Sequence, residues 1–272
     1  MAGFEQFLDG QLARGRAYFA REEVLAALGL SPHALSVALV RYVKKGRLAS
    51  PSRGFYLILR PEDKSLGAPD PVRWIDPLMK YLQLDYRVAL LRAAAFHGSS
   101  HQAAMVFQVI APRQLQDIRI GRHRLEFIYQ AVKVFREVNQ SDWLNSIKSD
   151  AGFAKVSGLE LTLFDCARHF HKVGGISGLA QIVKDLGAKA KVAELKRIAA
   201  LYPNVSVRRL GYLLELSHHR RQADALRPIA LKAKTAALLN PAVLSLPDGL
   251  SSPGMKIPEW RLILNEAVEI DS

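Results

Sequence analysis

The stretch Leu28-Gly29-Leu30-Ser31-Pro32-His33-Ala34-Leu35-Ser36-Val37-Ala38-Leu39-Val40-Arg41-Tyr42-Val43-Lys44-Lys45 decides how the first part of this 272-residue chain is read. Gly29 can take the positive φ that ends a helix and opens a tight turn. Ser31 is an N-cap, and Pro32 suits the first helical position, where its missing N–H is no loss. The spacing predicts a helix over 32–45. At 100° per residue, Leu35, Leu39, Tyr42 and Val43 share one face, the expected core face. His33, Val37, Val40, Arg41 and Lys44 lie opposite. Valines among basic residues suit a major groove, where apolar groups touch thymine methyls while Arg and His reach base edges. The helix N-terminus also offers free N–H groups to a phosphate.

Outward from this segment, Phe4, Phe7, Leu8 and Leu12 predict a helix over 4–14, and Val24, Leu25 and Leu28 one over 21–28. The basic run Lys44-Lys45-Gly46-Arg47 follows the central helix. Leu48-Ala49-Ser50 and Phe55-Tyr56-Leu57-Ile58 then flank Pro51-Ser52-Arg53-Gly54, a hairpin pattern with Arg53 at its tip. This order is that of a winged helix-turn-helix over residues 1–60. It predicts double-stranded DNA as partner, with Ser31, His33, Ser36, Val37, Arg41, Lys44, Lys45, Arg47 and Arg53 as the contacting set. Two plainer readings stand beside it. A Lys-Lys-Gly-Arg run also suits a helix C-terminus through its dipole, and small helix-turn-helix folds also serve protein contacts.

Composition points the same way. The formal net charge is +13, with pI about 10.0, which favours polyanionic partners. Residues 1–60 hold nine Lys/Arg against four Asp/Glu, the highest positive density in the chain. No apolar run approaches the ~18 residues of a membrane span, and no secretory signal is visible at the N-terminus. The single cysteine, Cys166, excludes an internal disulfide framework and suits a reducing cytoplasm.

Residues 60–77 carry four prolines and one glycine and read as a connector, with 61–72 as the linker proper. Residues 73–272 then form a larger domain. Tyr86–His97 reads as an apolar helix stopped by Gly98. Met105–Ile110, a hairpin over 118–129 and Val132–Val138 read as strands of a small, largely antiparallel sheet. Helices are predicted over 159–171, 176–187, 190–201, 205–217 and 222–238. The tail from 240 to 258 reads as irregular, with a final strand at 260–264. Strands followed by helices make the whole an α+β protein.

Taken together these segments resemble the AbiEi-type antitoxins and regulators of bacterial type IV toxin–antitoxin systems. The resemblance rests on the N-terminal module, on Tyr86 through His97-Gly98, and on Ile120-Gly121 with Leu125-Glu126-Phe127. It also rests on Glu160-Leu161-Thr162-Leu163-Phe164-Asp165, Gly174-Gly175-Ile176, Arg209 through Glu215, and Trp260-Arg261-Leu262 to Asn265 with Glu269. The chain departs from the usual pattern at Ser99-Ser100. The resemblance implies a repressor of its own operon that binds inverted repeats, a partner toxin of the nucleotidyltransferase class neutralised without need of a stable complex, and a part in phage defence.

The search for chemistry yields no catalytic, cofactor-binding or metal-binding set. His169-x-His171 and His218-His219 do not share helix faces, so neither is a natural chelate. Gly98-Ser99 resembles the opening of a nucleotidyltransferase site, but no Asp-x-Asp follows to hold two divalent ions. Glu160 and Asp165 read as structural carboxylates, Cys166 as a buried thiol. A candidate second basic surface gathers Lys189, Lys191, Lys196, Arg197, Arg208, His218, His219, Arg220 and Arg221, with Arg208 the exposed member of the Arg208-Arg209 pair. Solvated helix faces account for it equally. The expectation is therefore a DNA-binding antitoxin and not an enzyme. The alternatives are a stand-alone regulator with a sensing C-terminal domain and, disfavoured, a nucleic-acid-processing enzyme.

Overall fold

The computed structural model describes residues 2–99, 106–149, 152–243 and 255–270. The chain is α+β and forms two compact units. The first comprises Met1–Val88, Met105–Val132 and Asn145–Val156; the second comprises Ala89–Ala104, Lys133–Leu144 and Ser157–Ser272.

The first unit opens with α1 (Ala2–Ala13), β1 (Tyr18–Ala20), α2 (Arg21–Leu28), α3 (Pro32–Lys44), β2 (Leu48–Ser52) and β3 (Phe55–Ile58). Gly29 ends α2 at φ 60°, and the Ser31 hydroxyl accepts from Ala34 N at 3.2 Å to cap α3. The strands form an antiparallel sheet in the order β1-β3-β2, with Ala20 opposite Phe55 and Leu48 opposite Ile58. The three-residue β1 had no counterpart in the sequence reading. Phe4, Leu8, Phe19, Val24, Leu35, Leu39, Tyr42, Leu48 and Ile58 make one core. The Phe4 and Tyr42 rings meet edge to face at 4.8 Å. Val43 was expected in this core but is 40% exposed. Leu35, Leu39 and Tyr42 already fill the buried stripe, and Val43 lies a further 100° round at its flank.

The expected connector is a packed segment. Residues Pro61–Asp63 and Pro71–Arg73 form 3₁₀ turns, and α4 (Ile75–Tyr81) follows directly. Asp63 accepts from Arg60 N and pairs with Arg73 at 3.4 Å, and Trp74 Nε1 donates to Pro69 O. Arg122 N donates to Leu66 O at 2.8 Å, which fixes the segment to the turn at 121–122.

The larger sheet holds β4 (Arg87–Val88), β5 (Val106–Ala111), β6 (Ile118–Ile120), β7 (His123–Tyr129), β8 (Leu144–Ser149) and β9 (Gly152–Ser157), in the order β6-β7-β5-β4-β9-β8. The expected 118–129 hairpin is present as β6–β7. Pairing is mixed: β4–β5 and β6–β7 are antiparallel, while β5–β7 and β4–β9 are parallel. The chain passes from β5 to the far side of β7 before turning back, so β7 returns in the direction of β5. The expected strand start at Met105 lies outside the described residues. Tyr86–His97 is not one helix. Val88 pairs with Val109 and Val156, and this spends the first residues of the run on a strand.

The second unit contains α5 (Leu90–Phe96), α6 (Val132–Val138, its first residue in the other unit), α7 (Leu159–Arg168), α8 (Gly175–Leu186), α9 (Val192–Ala199), α10 (Asn204–Leu216) and α11 (Arg220–Ala230). Val132–Val138 is therefore a helix and not the expected strand. Its buried residues are Phe135 and Val138, an i,i+3 pair, while Lys133, Arg136 and Glu137 are exposed. Three valines biased the reading towards a strand. The helix expected over 222–238 stops at Ala230, because Ala237–Leu238 forms β10 beside β12 (Leu262–Leu264), which also pairs with β11 (Met255–Ile257). Trp260 is fully buried against Gly211 on α10, where any side chain would collide with the indole. Tail residues 244–254 lie outside the described residues.

Candidate nucleic-acid interface

The outer face of α3 carries His33, Val37, Val40 and Lys44, with Val43 at its flank and Lys45 at its C-cap, all exposed; Val37 is 58% and Val40 55% exposed. Such apolar exposure is dear on a helix whose other face already fills a core. No acidic side chain lies on α3. At its N-terminus Pro32 carries no N–H, and Ala34 N and Leu35 N are taken by Ser31 Oγ and Ser31 O.

Not every expected residue points outward freely. Ser31 is committed to its cap. The Ser36 hydroxyl donates to Pro32 O at 2.8 Å and accepts from Arg21 Nη2 at 2.9 Å. Arg21 also donates to Pro32 O, so it braces the start of α3. The sequence reading missed Arg21, whose only signal was its place at the head of α2. Arg41 is half-buried, its guanidinium 5.6 Å from the Tyr42 ring. Arg47 is half-buried and paired with Glu5 at 3.2 Å, and Glu5 also accepts from the Tyr42 hydroxyl at 2.9 Å. Burial, and then Glu5, push the Tyr42 phenol up. Arg47 thus ties β2 to α1, a scaffold role.

The β2–β3 turn presents Arg53, which is exposed. Gly54 holds φ 82°, and the Tyr81 hydroxyl donates to Arg53 O at 3.1 Å. Ser50 Oγ donates to Ser52 O and Phe55 O, which closes the hairpin. The site therefore comprises one exposed helix face and one anchored cationic turn.

The second basic set divides. Lys189, Lys191, Lys196, His218, Arg220 and Arg221 are exposed on or beside α9 and α11. Arg197 is exposed but paired with Glu194 at 2.9 Å. The Trp143 N–H, and Arg197 beside it, hold the Glu194 carboxyl below the usual range despite partial burial. His219 is half-buried, its Nε2 3.1 Å from Lys184 O. Arg208 corrects the expectation most sharply. It is 7% exposed and donates to Thr235 O and Arg261 O at 3.0 and 2.9 Å. Arg209 is buried too, donating to Leu239 O at 2.7 Å with Phe170 at 4.8 Å; burial, and then Arg208, pull it down to about 10. Both hold the β10–β12 layer, not a ligand.

The remaining polar candidates are structural in geometry. Asp165 is fully buried and accepts from Ser157 Oγ at 3.0 Å and the Tyr202 hydroxyl at 2.6 Å. Glu160 accepts from Lys191 N at 2.7 Å at the start of α9. Ser99 donates to Asp185 at 2.6 Å just after Gly98 (φ 95°). Cys166 is fully buried, and burial pushes its thiol well up. Among the described residues, no three of His, Cys, Asp and Glu gather to hold a metal ion, and no helix is long and apolar enough to cross a membrane.

The molecule is thus an α+β protein in which one helix, α3, joins exposed valines and basic side chains on one face. Residues 87–216 match the family model of the AbiEi antitoxin C-terminal domain, which bears out the resemblance read from the sequence. Among solved structures it is similar to the RV2827C protein from Mycobacterium tuberculosis, at 16% identity and a TM-score of 0.65, over 97% of this chain and 92% of that one. At this identity the likeness shows the fold alone. No curated protein matches the chain.

Proposed function

We propose that this protein is a DNA-binding antitoxin that represses its own operon and counteracts a toxin of the nucleotidyltransferase class, and that it is not itself an enzyme. In this reading residues 1–60 are a winged helix-turn-helix. α3 is the recognition helix and the β2–β3 hairpin the wing. The observation that carries the reading is the α3 face, where exposed Val37 and Val40 stand among His33, Lys44 and Lys45 with no carboxylate on the helix. His33, Val37 and Val40 read base edges and thymine methyls, and Lys44, Lys45 and Arg53 bind phosphates. Inverted repeats bind two copies through the same helix. The antitoxin half of the reading rests on the matched domain at 87–216, and its site of action is the cytoplasm.

The test is a reporter placed under the promoter upstream of the gene, with the full chain expected to repress it. Lys44→Glu should relieve repression. Co-expression with the neighbouring toxin gene should restore growth with wild type and with Lys44→Glu alike, because Lys44 lies outside the matched span 87–216. Unrepressed reporter with wild type contradicts the regulator half. Unrescued growth contradicts the antitoxin half.

A further inference from the structure

A groove of about 530 Å³ opens within the first unit beside the β2–β3 turn. Arg53 of that turn, Arg113 of the β5–β6 loop and Arg119 of β6 line it, with Leu82, Leu115 and Phe127 between them. All three guanidinium groups are exposed, and among the described residues none has a carboxylate partner. The groove's one acid, Asp117, is already engaged. It accepts from Phe127 N at 3.1 Å and lies 3.7 Å from Arg124, which is not in the lining. Three like charges are therefore gathered in a concavity whose single carboxylate pairs with a fourth arginine outside it.

The walls are fixed before any ligand arrives. Tyr81 holds the Arg53 backbone at 3.1 Å, and Asp117 clips the β5–β6 loop to β7. The volume lies within the ~300–1,000 Å³ of small-ligand sites. Guanidinium forks match the paired oxygens of a phosphate. The half-buried Leu82, Leu115 and Phe127 offer apolar surface for the rest of such a ligand.

We infer that this groove binds phosphate groups through Arg53, Arg113 and Arg119. The phosphate comes either from a free nucleotide or from the duplex backbone beside the turn. The second source rests on the proposed DNA-binding role; the first does not. Because Arg53 belongs to both surfaces, a free nucleotide would compete with DNA for it.

The test titrates the full chain with ATP and, separately, with operator duplex, for wild type, Arg113→Ala/Arg119→Ala and the control Lys232→Ala/Lys234→Ala. Thermal melts check the fold, and Arg113→Lys/Arg119→Lys serves if the alanine variant melts early. Saturable ATP binding that falls at least tenfold in the arginine variant, but not in the control, assigns the groove to free nucleotide. Absent ATP binding with duplex affinity reduced at least tenfold assigns it to backbone phosphate. The log–log salt slope should then drop by about 2, for two lost contacts. If the arginine variant matches wild type towards both probes, the inference is overturned. In that outcome a loss of duplex binding in Lys44→Glu still upholds the DNA-binding role.

Discussion

The Tyr81 hydroxyl donates to the carbonyl of Arg53 at 3.1 Å, and so α4 anchors the turn that carries the proposed wing cation. Gly54 beside it sits at φ 82° with that hydroxyl where a Cβ would be. Tyr81→Phe should cost about 1 kcal/mol of stability for the lost hydrogen bond and lower duplex affinity through a looser Arg53. Gly54→Ala should cost more, through both strain and collision. Urea unfolding with a duplex titration checks both; unchanged affinity in Tyr81→Phe with reduced stability would separate the anchor from binding.

Gly67 and Gly121 meet backbone to backbone, a Cβ at 67 lying 2.8 Å from the Gly121 Cα, with φ of 73° and 55°. Neither backbone can yield cheaply. Gly121→Ala should destabilise the first unit by roughly 2–4 kcal/mol, combining left-handed strain with displacement of the 61–72 segment. Urea unfolding monitored by Trp74 fluorescence reads this. An unshifted midpoint would mean that the contact is dispensable.

Arg209 is buried against carbonyls, and its replacement strands them. Arg209→Ala should destabilise by about 2–4 kcal/mol, since a charged donor is lost and its acceptors are left dry. Arg208→Ala should follow in the same direction. Neither change should alter duplex affinity once corrected for folded fraction, because neither guanidinium reaches the surface. Selective loss of binding in a stably folded Arg208→Ala protein would restore Arg208 to the basic surface.

His97 is half-buried, with Nε2 2.8 Å from Ser157 O, and burial lowers its pKa. Nearby Glu160 pulls the other way and Lys189 reinforces the lowering. The unfolded chain, with an ordinary histidine pKa near ~6.5, therefore takes up the proton first as pH falls. The contribution to stability is complete above that value and is lost as pH drops below it towards the folded pKa. Urea unfolding at pH 7.5 and pH 5.5 should show a larger acid loss in wild type than in His97→Gln. Parallel losses would contradict a neutral buried His97.

The helices of the N-terminal module were legible because Ser31-Pro32 and Gly29 punctuate them and Leu35, Leu39 and Tyr42 repeat at helical spacing. β1 was not, since three residues, Tyr18–Ala20, carry no period and exist only by pairing with β3. Val132–Val138 misled because β-branched content outweighed an i,i+3 buried pair over a short run. The prolines of 60–77 were read as marking a connector, yet Pro61 and Pro71 begin 3₁₀ turns in a packed segment. The exposure of His33, Val37, Val40 and Lys44 on α3 could be read from angles alone, while that of Val43 could not. The engagement of Arg47 with Glu5, 42 residues away, and of Arg208 with Arg261, 53 away, could not, because only the fold brings them together.

The central claim is that the α3 face selects a DNA sequence. Its most direct measurement is fluorescence anisotropy of the full chain on its own promoter's inverted repeat and on a shuffled duplex of equal length, across a series of salt concentrations. Binding at least a hundredfold tighter to the repeat is predicted, falling steeply with salt. Val37→Ala/Val40→Ala should erode the preference more than it weakens binding to the shuffled duplex. Equal affinity of wild type for the two duplexes would contradict the account.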